Sequence, residues 1–522
     1  MNGYLIVFLI FIAYFALLVI LWRTGLAKRL NISFMGPMIM LRTEKGRGVI
    51  RRIARARRFW VAFGKVSRVL FLVGMTAMVL LLLWEATLVF SIPKQSLPSP
   101  QTYLLLPGIN PFVPLGYGLL GIIVAVVLHE FAHGILSEAQ DVDVKYTGVL
   151  LFIVPVGAFV EPEQQQLEAI EPRKRIKVFG VGPGTNIVIA LVCVALFIGP
   201  FMGGVSPIHD GMAVVSVANN SSAAGAGLRQ WSEVVSINGT GVTTSSEFTA
   251  VQNLVPGQPY PVVYLQGGKL HTADVRAGVV ITGTLKNSPA ATAGLQSGWI
   301  IQKMNGTVIY SEEGLSAVFN ATAPGQTVPF VFVTANGSVV SKGIQLSSEK
   351  SVEGITPAGR QIGFLGIYFS YMGLQAVPMS YISGLLKNPF YGATTPGTYI
   401  STGLQFLVLP FAGLSPIPGG LTSLLNAGGT AGGNWLFWIA ANSLYWLFWI
   451  NLWVGLFNML PAIPLDGGYL FKDNIRLFLG RIARKSSNEA RESMARSITN
   501  VFSLLVLFLI VWQIIGPRLL YI

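Results

Sequence analysis

The order of apolar and polar residues divides the chain into long apolar runs separated by polar segments. Each run holds about 20 residues with almost no charge, which is the length that an α-helix needs to cross a hydrocarbon core about 30 Å thick. About six transmembrane helices are predicted, over residues 4–22, 68–92, 114–137, 177–201, 433–460 and 497–519. The pattern therefore predicts a polytopic α-helical membrane protein.

Residues 202–350 follow a different pattern, rich in Gly, Ser, Thr and Val. An ungapped repeat relates the stretch ending at Thr240 to the stretch ending at Thr307, at a spacing of 67 residues. Alternating apolar positions and an Asn-Gly pair in each copy predict short strands and tight turns. The small-residue helix start at 288–295, the apolar strand after it and the Asn305-Gly306 turn resemble a PDZ domain. The insert is therefore interpreted as two PDZ-like domains, with a generic β-rich sensor module as the alternative.

Composition and charge agree with a membrane protein. Apolar residues make up 52% of the chain and charged residues 11%, and the mean hydropathy is +0.60, which excludes a single soluble globule, a disordered chain and a collagen-like fibre. The net charge of +14 is concentrated beside the apolar runs, with thirteen basic residues and one acidic residue from Arg23 to Arg68. A basic loop facing anionic lipid explains this cluster. No nucleic-acid motif accompanies it, so nucleic acid is not expected as a partner.

The charge distribution also predicts an orientation. The positive-inside rule places loops 23–67, 138–176 and 471–496 in the cytoplasm and residues 202–400 outside. An odd number of crossings must then lie between 201 and 471, so the apolar stretch 399–413 is interpreted as interfacial or re-entrant. The first span is read as a retained signal anchor in the cell membrane, and the PDZ-like domains are expected to be extracytoplasmic.

Candidate chemistry lies in the third predicted span. Two of the four histidines form the sequence His129-Glu130-Phe131-Ala132-His133, and residues i and i+4 share one face of a helix, so both imidazoles can bind one zinc ion. Glu130 can then act as a base on water. Ionisable groups in so apolar a helix are costly unless they have a function.

A catalytic zinc site needs a third protein ligand. His209 and His271 fall in the insert, too far away by topology, and the one cysteine, Cys193, excludes both a disulfide and a Cys-based metal site. The best candidate is Asp466, the carboxylate at the end of a long apolar stretch. An ordinary Asp-Gly turn at a helix exit is the alternative for this residue.

Three motifs together resemble the site-2 protease family of intramembrane zinc metalloproteases. They are HEFAH in one predicted membrane helix, NMLPAIPLDGG at 458–468 in a later one, and GPGTN at 182–186. Family members often carry PDZ domains in the same place, and the resemblance covers roughly residues 110–475. It implies that His129, His133 and Asp466 bind one Zn²⁺ per chain. It also implies that Glu130 is the catalytic base in peptide-bond hydrolysis.

The resemblance has further implications for substrate binding. Asn458 would hydrogen-bond the backbone of an extended substrate, and Asn186 would have a structural or supporting role in the core. The segment 148–162 resembles the membrane-associated β-hairpin of the family, with a plain interfacial loop as the alternative. The expected partners are transmembrane protein substrates and the lipid bilayer.

The sequence therefore predicts an intramembrane zinc metalloendopeptidase. The predicted segments are 1–110 (signal anchor, basic loop and second span), 111–201 (protease core), 202–280 and 281–350 (PDZ-like domains), 351–432 (extracytoplasmic or interfacial segment), 433–475 (LDG-bearing helix) and 476–522 (cytoplasmic loop and last span). A membrane zinc transporter and a catalytically inactive PDZ scaffold are the rival functions. A transporter would need metal-binding side chains stacked across the bilayer, and a scaffold would not need Glu130.

Overall fold

The computed structural model describes residues 3–29, 32–91, 97, 99–103, 105–152, 154–348, 362–483 and 485–519. The chain divides into two compact units. One consists of Met1–Ile92, Pro98–Ala195 and Ser443–Ile522, and the other of Pro93–Leu97 and Leu196–Asn442. We call them the helical unit and the β-rich unit.

The elements of the described residues are numbered along the chain. The helices are α1 (Gly3–Arg23), α2 (Leu26–Arg29), α3 (Arg47–Ala54), α4 (Arg57–Leu88), α5 (Leu115–Ala139), α6 (Gln164–Ala169), α7 (Pro172–Leu196), α8 (Ser222–Gly225), α9 (Ser245–Ala250), α10 (Pro289–Thr292), α11 (Glu312–Asn320), α12 (Met379–Lys387), α13 (Pro396–Leu407), α14 (Gly419–Thr422), α15 (Trp435–Asn458), α16 (Asp466–Ile482) and α17 (Asn488–Leu519). The strands are β1 (Ile32–Met35), β2 (Met38–Thr43), β3 (Val144–Phe152), β4 (Val154–Pro162), β5 (Ser206–Pro207), β6 (Met212–Val217), β7 (Glu233–Ile237), β8 (Thr240–Gly241), β9 (Pro259–Gln266), β10 (Lys269–Arg276), β11 (Val279–Thr284), β12 (Ile300–Met304), β13 (Thr307–Val308), β14 (Thr327–Val333), β15 (Val339–Gln345), β16 (Ile367–Tyr371), β17 (Leu374–Pro378), β18 (Leu425–Ala427) and β19 (Thr430–Ala431).

Among the described residues, five helices are long and apolar enough to cross a membrane. They are α4, α5, α7 with its continuation to Gly204, α15 and α17. Helix α1 coincides with the first predicted span but is not among these five. Helix α4 begins at Arg57, eleven residues before the predicted span at 68–92. The ambiguous stretch 399–413 contains most of α13, whose 12 residues are fewer than the about 20 that a spanning helix requires.

A four-stranded antiparallel sheet of order β1-β2-β3-β4 lies in the helical unit. Strands β3 and β4 form the hairpin predicted at 148–162, and part of its tip, residue 153, lies outside the described residues. The basic loop 23–67 supplies β1 and β2, which pair with this hairpin. Strand β4 is the edge of the sheet and packs along α5, where Gly134 has room only for a hydrogen atom beside Val160.

The β-rich unit contains two six-stranded sheets of the same topology. Their strand orders are β10-β9-β7-β6-β17, with β8 beside β7, and β15-β14-β12-β11-β16, with β13 beside β12. The repeat is visible in single residues, since Ser221 and Ser288 each cap a short helix by accepting a hydrogen bond from the N–H three residues on. The Asn-Gly pairs at 238–239 and 305–306 adopt positive φ angles and join short strands. The predicted short strands and tight turns are confirmed.

The last strands of the two sheets, β16 and β17, are consecutive in the chain and are joined by the short turn at 372–373. Strand β16 pairs with β11 of the second sheet, and β17 pairs with β6 of the first. We call residues 212–276 with β17 the first module, and residues 279–345 with β16 the second module. Although Tyr371 ends β16, its ring lies in the apolar core of the first module, next to Phe248. The repeat predicts residue 350 as the end of the second PDZ-like domain, because a repeat pattern does not reveal strands that are added from a distant segment. Residues 351–361 of the segment predicted at 351–432 lie outside the described residues.

Candidate metal centre

Helix α5 carries the two histidines on one face. His129 and His133 are buried, and their Nε2 atoms are 3.1 Å apart. The one-turn spacing produces this arrangement, because side chains at i and i+4 project from the same side of a helix.

Asp466 is supplied by a break between two helices. Helix α15 ends at Asn458, and α16 begins at Asp466. A Cβ atom at Gly467 would overlap with the carbonyl group of Leu460, so only glycine permits α16 to begin so close to that backbone. This packing brings Oδ2 of Asp466 to 3.0 Å from Nε2 of His129 and 3.3 Å from Nε2 of His133.

Helix α7 provides the partners of the other imidazole nitrogens. Nδ1 of His133 lies 2.6 Å from the backbone oxygen of Val178. A carbonyl oxygen can only accept, so Nδ1 of His133 carries the proton and Nε2 of the neutral ring keeps its lone pair. Nδ1 of His129 lies 3.2 Å from the side-chain amide of Asn186, and Oδ1 of Asn186 is buried with no hydrogen-bond partner. A half turn of that amide places Oδ1 where it accepts a hydrogen bond from Nδ1–H of His129. Because Nδ1 then carries the proton, Nε2 of His129 also keeps its lone pair.

The three free ligand atoms fit a tetrahedral zinc ion. Ligand atoms bound to zinc at about 2.0–2.1 Å are about 3.3 Å from one another, and the separations here are 3.0, 3.1 and 3.3 Å. Two imidazoles and one carboxylate are a donor set that zinc accepts while keeping a fourth position open. Within the described part of the chain, these residues are the one cluster of three such groups suited to a metal ion.

Gly182 makes room for the cluster. A Cβ atom there would overlap with the imidazole rings of both His129 and His133. Helix α7 can therefore approach the site closely enough for Val178 and Asn186 to bond the histidines. Neither the Gly182 contact nor the Val178 bond was predicted from the sequence, because both depend on how two helices pack.

Glu130 and the ligand cluster line the same cavity of about 290 Å³. The cavity lies between α5, α7, β4 and the start of α16, and its lining includes Val160, Pro162, Phe179, Asn458 and Pro464. Oε2 of Glu130 accepts a hydrogen bond of 3.2 Å from the N–H of Val160 on β4. The carboxylate is therefore held at the wall of the cavity, one residue from a candidate ligand.

Asn458 also lines this cavity, as the last residue of α15. Its Nδ2 donates to the carbonyl oxygen of Val454 at 3.0 Å, which fixes the side chain at the end of its own helix. The structure thus brings together all six residues selected from the sequence: His129, Glu130, His133, Asn186, Asn458 and Asp466.

Comparison with known proteins identifies similar chains. The family model described as peptidase family M50 matches residues 117–507. An uncharacterized protein of Methanocaldococcus jannaschii is 23% identical over 248 residues, which are 47% of this chain and 64% of that protein. A candidate zinc metalloprotease of Clostridium perfringens is 30% identical over 173 residues, 31% of this chain and 49% of that protein.

A plant protein is also similar. The membrane-bound transcription factor site-2 protease homolog of Arabidopsis thaliana is 26% identical over 205 residues, which are 38% of each chain. The chain thus spans from 38% to 64% of the length of these three relatives.

Proposed function

The chain belongs to peptidase family M50, which includes the site-2 proteases, and from this premise we propose that it is an intramembrane zinc endopeptidase that cleaves transmembrane segments of other proteins. The five membrane-capable helices among the described residues and the family make it an integral membrane protein. The observation that carries the proposal is the triangle of three ligand atoms, on two buried histidines and the partly buried Asp466, beside a carboxylate in one cavity.

His129, His133 and Asp466 would hold one zinc ion per chain. Zinc in such a site lowers the pKa of water and polarises a peptide carbonyl. Glu130 accepts a proton from the attacking water and returns it to the leaving amine nitrogen. The Val160 N–H keeps the Glu130 carboxylate beside the cavity during both transfers.

The substrate would bind as an extended strand. Strand β4 has one edge paired with β3, while the Val160 N–H points to the other side, towards Glu130. Val160 and Pro162 of that edge line the cavity, so a substrate segment that adds to β4 would pass the candidate ligands. A helix in lipid satisfies its own backbone groups, so the substrate helix must unwind locally before cleavage. Asn458 would then hydrogen-bond the exposed substrate backbone.

The β-rich modules would act on substrate access rather than on chemistry. In the proposed orientation they are PDZ-like domains outside the cell membrane, where they exclude substrates that carry bulky outer domains. The transporter alternative would require metal-binding side chains at several depths. The described residues supply one such cluster, at one level.

The test compares two substitutions in the purified full-length protein. Glu130→Gln keeps all three candidate ligands, so about one zinc ion per chain should remain, while cleavage of transmembrane peptides in detergent should fall by about 10²-fold or more. Asp466→Asn should lose both zinc and activity, because a neutral amide is a poor ligand. Undiminished cleavage by Glu130→Gln would refute the mechanism. Absence of zinc from the wild type would refute the site, and zinc transport without cleavage would favour a transporter.

A further inference from the structure

A buried ion pair joins α7 to α16 outside the candidate metal centre. Arg175 of α7 and Asp473 of α16 are 7% and 0% exposed. Nε and Nη2 of Arg175 donate to the two carboxylate oxygens of Asp473 at 2.7 and 2.6 Å, and Nη1 of Arg175 donates to the backbone oxygen of Glu168 at 2.9 Å. The catalytic proposal uses neither residue.

Both partners lie on the helix faces that build the metal centre. Asp473 follows Asp466 by seven residues, almost two turns, so the two carboxylates share one face of α16 about 10 Å apart along its axis. Arg175 precedes Asn186 by eleven residues, close to three turns, so both lie on one face of α7. That face contacts the two histidines through Val178 and Asn186.

Apolar contacts between α7 and α16 do not define one register. Phe179 stacks on Tyr469 with ring centroids 5.1 Å apart, and Leu470 packs near Ile176. Such contacts tolerate small slides and rotations of one helix along another. A two-point arginine–carboxylate pair has a fixed direction and a fixed distance, whereas apolar residues of similar volume are often neutral or better for stability alone.

We infer that the Arg175–Asp473 pair is a positioning device that holds α16 in the register in which Asp466 meets His129 and His133. Helix α7 thereby positions all three candidate ligands. It bonds the two histidines directly, and it holds the aspartate through α16. This inference rests on the zinc site of the proposed function. Arg175 and Asp473 are positioning residues, since they act on the metal only through Asp466.

The experiment measures zinc dissociation constants of the full-length protein by competition with a chromophoric chelator. Arg175→Gln should weaken zinc binding by about 10- to 100-fold, the range for residues that orient metal ligands. The matched control is Lys472→Gln, on the same helix and adjacent to Asp473, whose ion pair is with Glu492 of α17 instead. The control should leave the zinc affinity within about twofold of the wild type.

A double-mutant cycle separates positioning from general loosening. The Asp466→Asn background loses zinc at equimolar metal, so it is titrated with excess zinc to measure the weak affinity of the two remaining histidines. In that background Arg175→Gln should cause no further loss of zinc affinity, because its effect passes through Asp466. Equal losses in both backgrounds would overturn the inference. If Arg175→Gln does not fold, Arg175→Lys keeps the charge but loses the two-point geometry. It should weaken zinc binding in the wild-type background alone, and wild-type affinity in this variant would equally overturn the inference.

The outcomes also distinguish the two proposals. A wild type that binds no zinc refutes the proposed function itself. A wild type that binds zinc, with an Arg175→Gln variant that is folded and binds it equally well, refutes only the positioning role.

Discussion

At the scale of residues, the metal centre depends on side chains that bind no metal. Val178 accepts from Nδ1–H of His133, Asn186 does the same for His129 once its amide is turned, and Gly182 allows α7 to approach closely. In the proposed zinc site, these three residues keep the Nε2 atoms of His129 and His133 free and adjacent, as zinc binding by both rings requires.

Asn186 should act as a hydrogen-bond acceptor for His129. Asn186→Leu removes the acceptor and should lower zinc affinity by about 10- to 100-fold, whereas Asn186→Asp can only accept and should stay within a few-fold of the wild type. Zinc dissociation constants of the two purified variants test this expectation. Equal affinities in the wild type and Asn186→Leu would show that the tautomer of His129 is determined elsewhere.

Gly182→Ala should remove zinc from the protein. The added methyl group would overlap with both imidazole rings in a close-packed core, so the histidines must shift. Gly199→Ala, on the continuation of the same helix, is the control, because its Cβ would meet no atom within 4 Å. Elemental analysis of zinc per chain tests both variants, and full zinc content in Gly182→Ala would contradict the close approach of α7.

At the scale of elements, features that depend on local sequence patterns were predictable, whereas contacts between packed helices were not. The i, i+4 histidines and the Asn-Gly turns were predictable because each depends on a few adjacent residues. The Val178 bond and the Arg175–Asp473 pair were not, since they join helices whose contact has no signature in a single sequence. Asp466 lies between these cases, because topology and elimination selected it without giving its geometry.

The segment that carries β16 and β17 should stabilise both β-rich modules at once. Tyr371 is fully buried in the first module while its strand pairs in the second, so Tyr371→Ala should cost about 3 kcal/mol or more. Tyr368 on the same strand is 56% exposed, and Tyr368→Ala should cost less than about 0.5 kcal/mol. Urea unfolding of a fragment of residues 205–378, followed by tryptophan fluorescence, measures both. Similar losses for the two variants would mean that Tyr371 does not hold the modules together.

At the scale of the whole molecule, the charge distribution predicts the orientation of the chain across the membrane. The basic loops predict that residues 202–400 face outwards. In intact cells, a cysteine at Ser338 should react with an impermeant maleimide, while one at Ser486 should react only after permeabilisation. The parent chain is a suitable background because its one cysteine, Cys193, is buried. The reverse labelling pattern would invert the orientation and place the β-rich modules inside.

The shared segment 367–378 has a consequence for how the two modules depend on each other. Each β-rich module is contiguous in space but not in the gene, because residues 212–276 and 279–345 each borrow a strand from 367–378. A recombination event that removes one repeat would leave an unpaired strand attached to the survivor. Exposed strands of this kind promote aggregation. Removal of either module therefore requires a matching change in 367–378, about 20 residues after the second repeat and about 100 after the first, so the two modules depend on one shared segment.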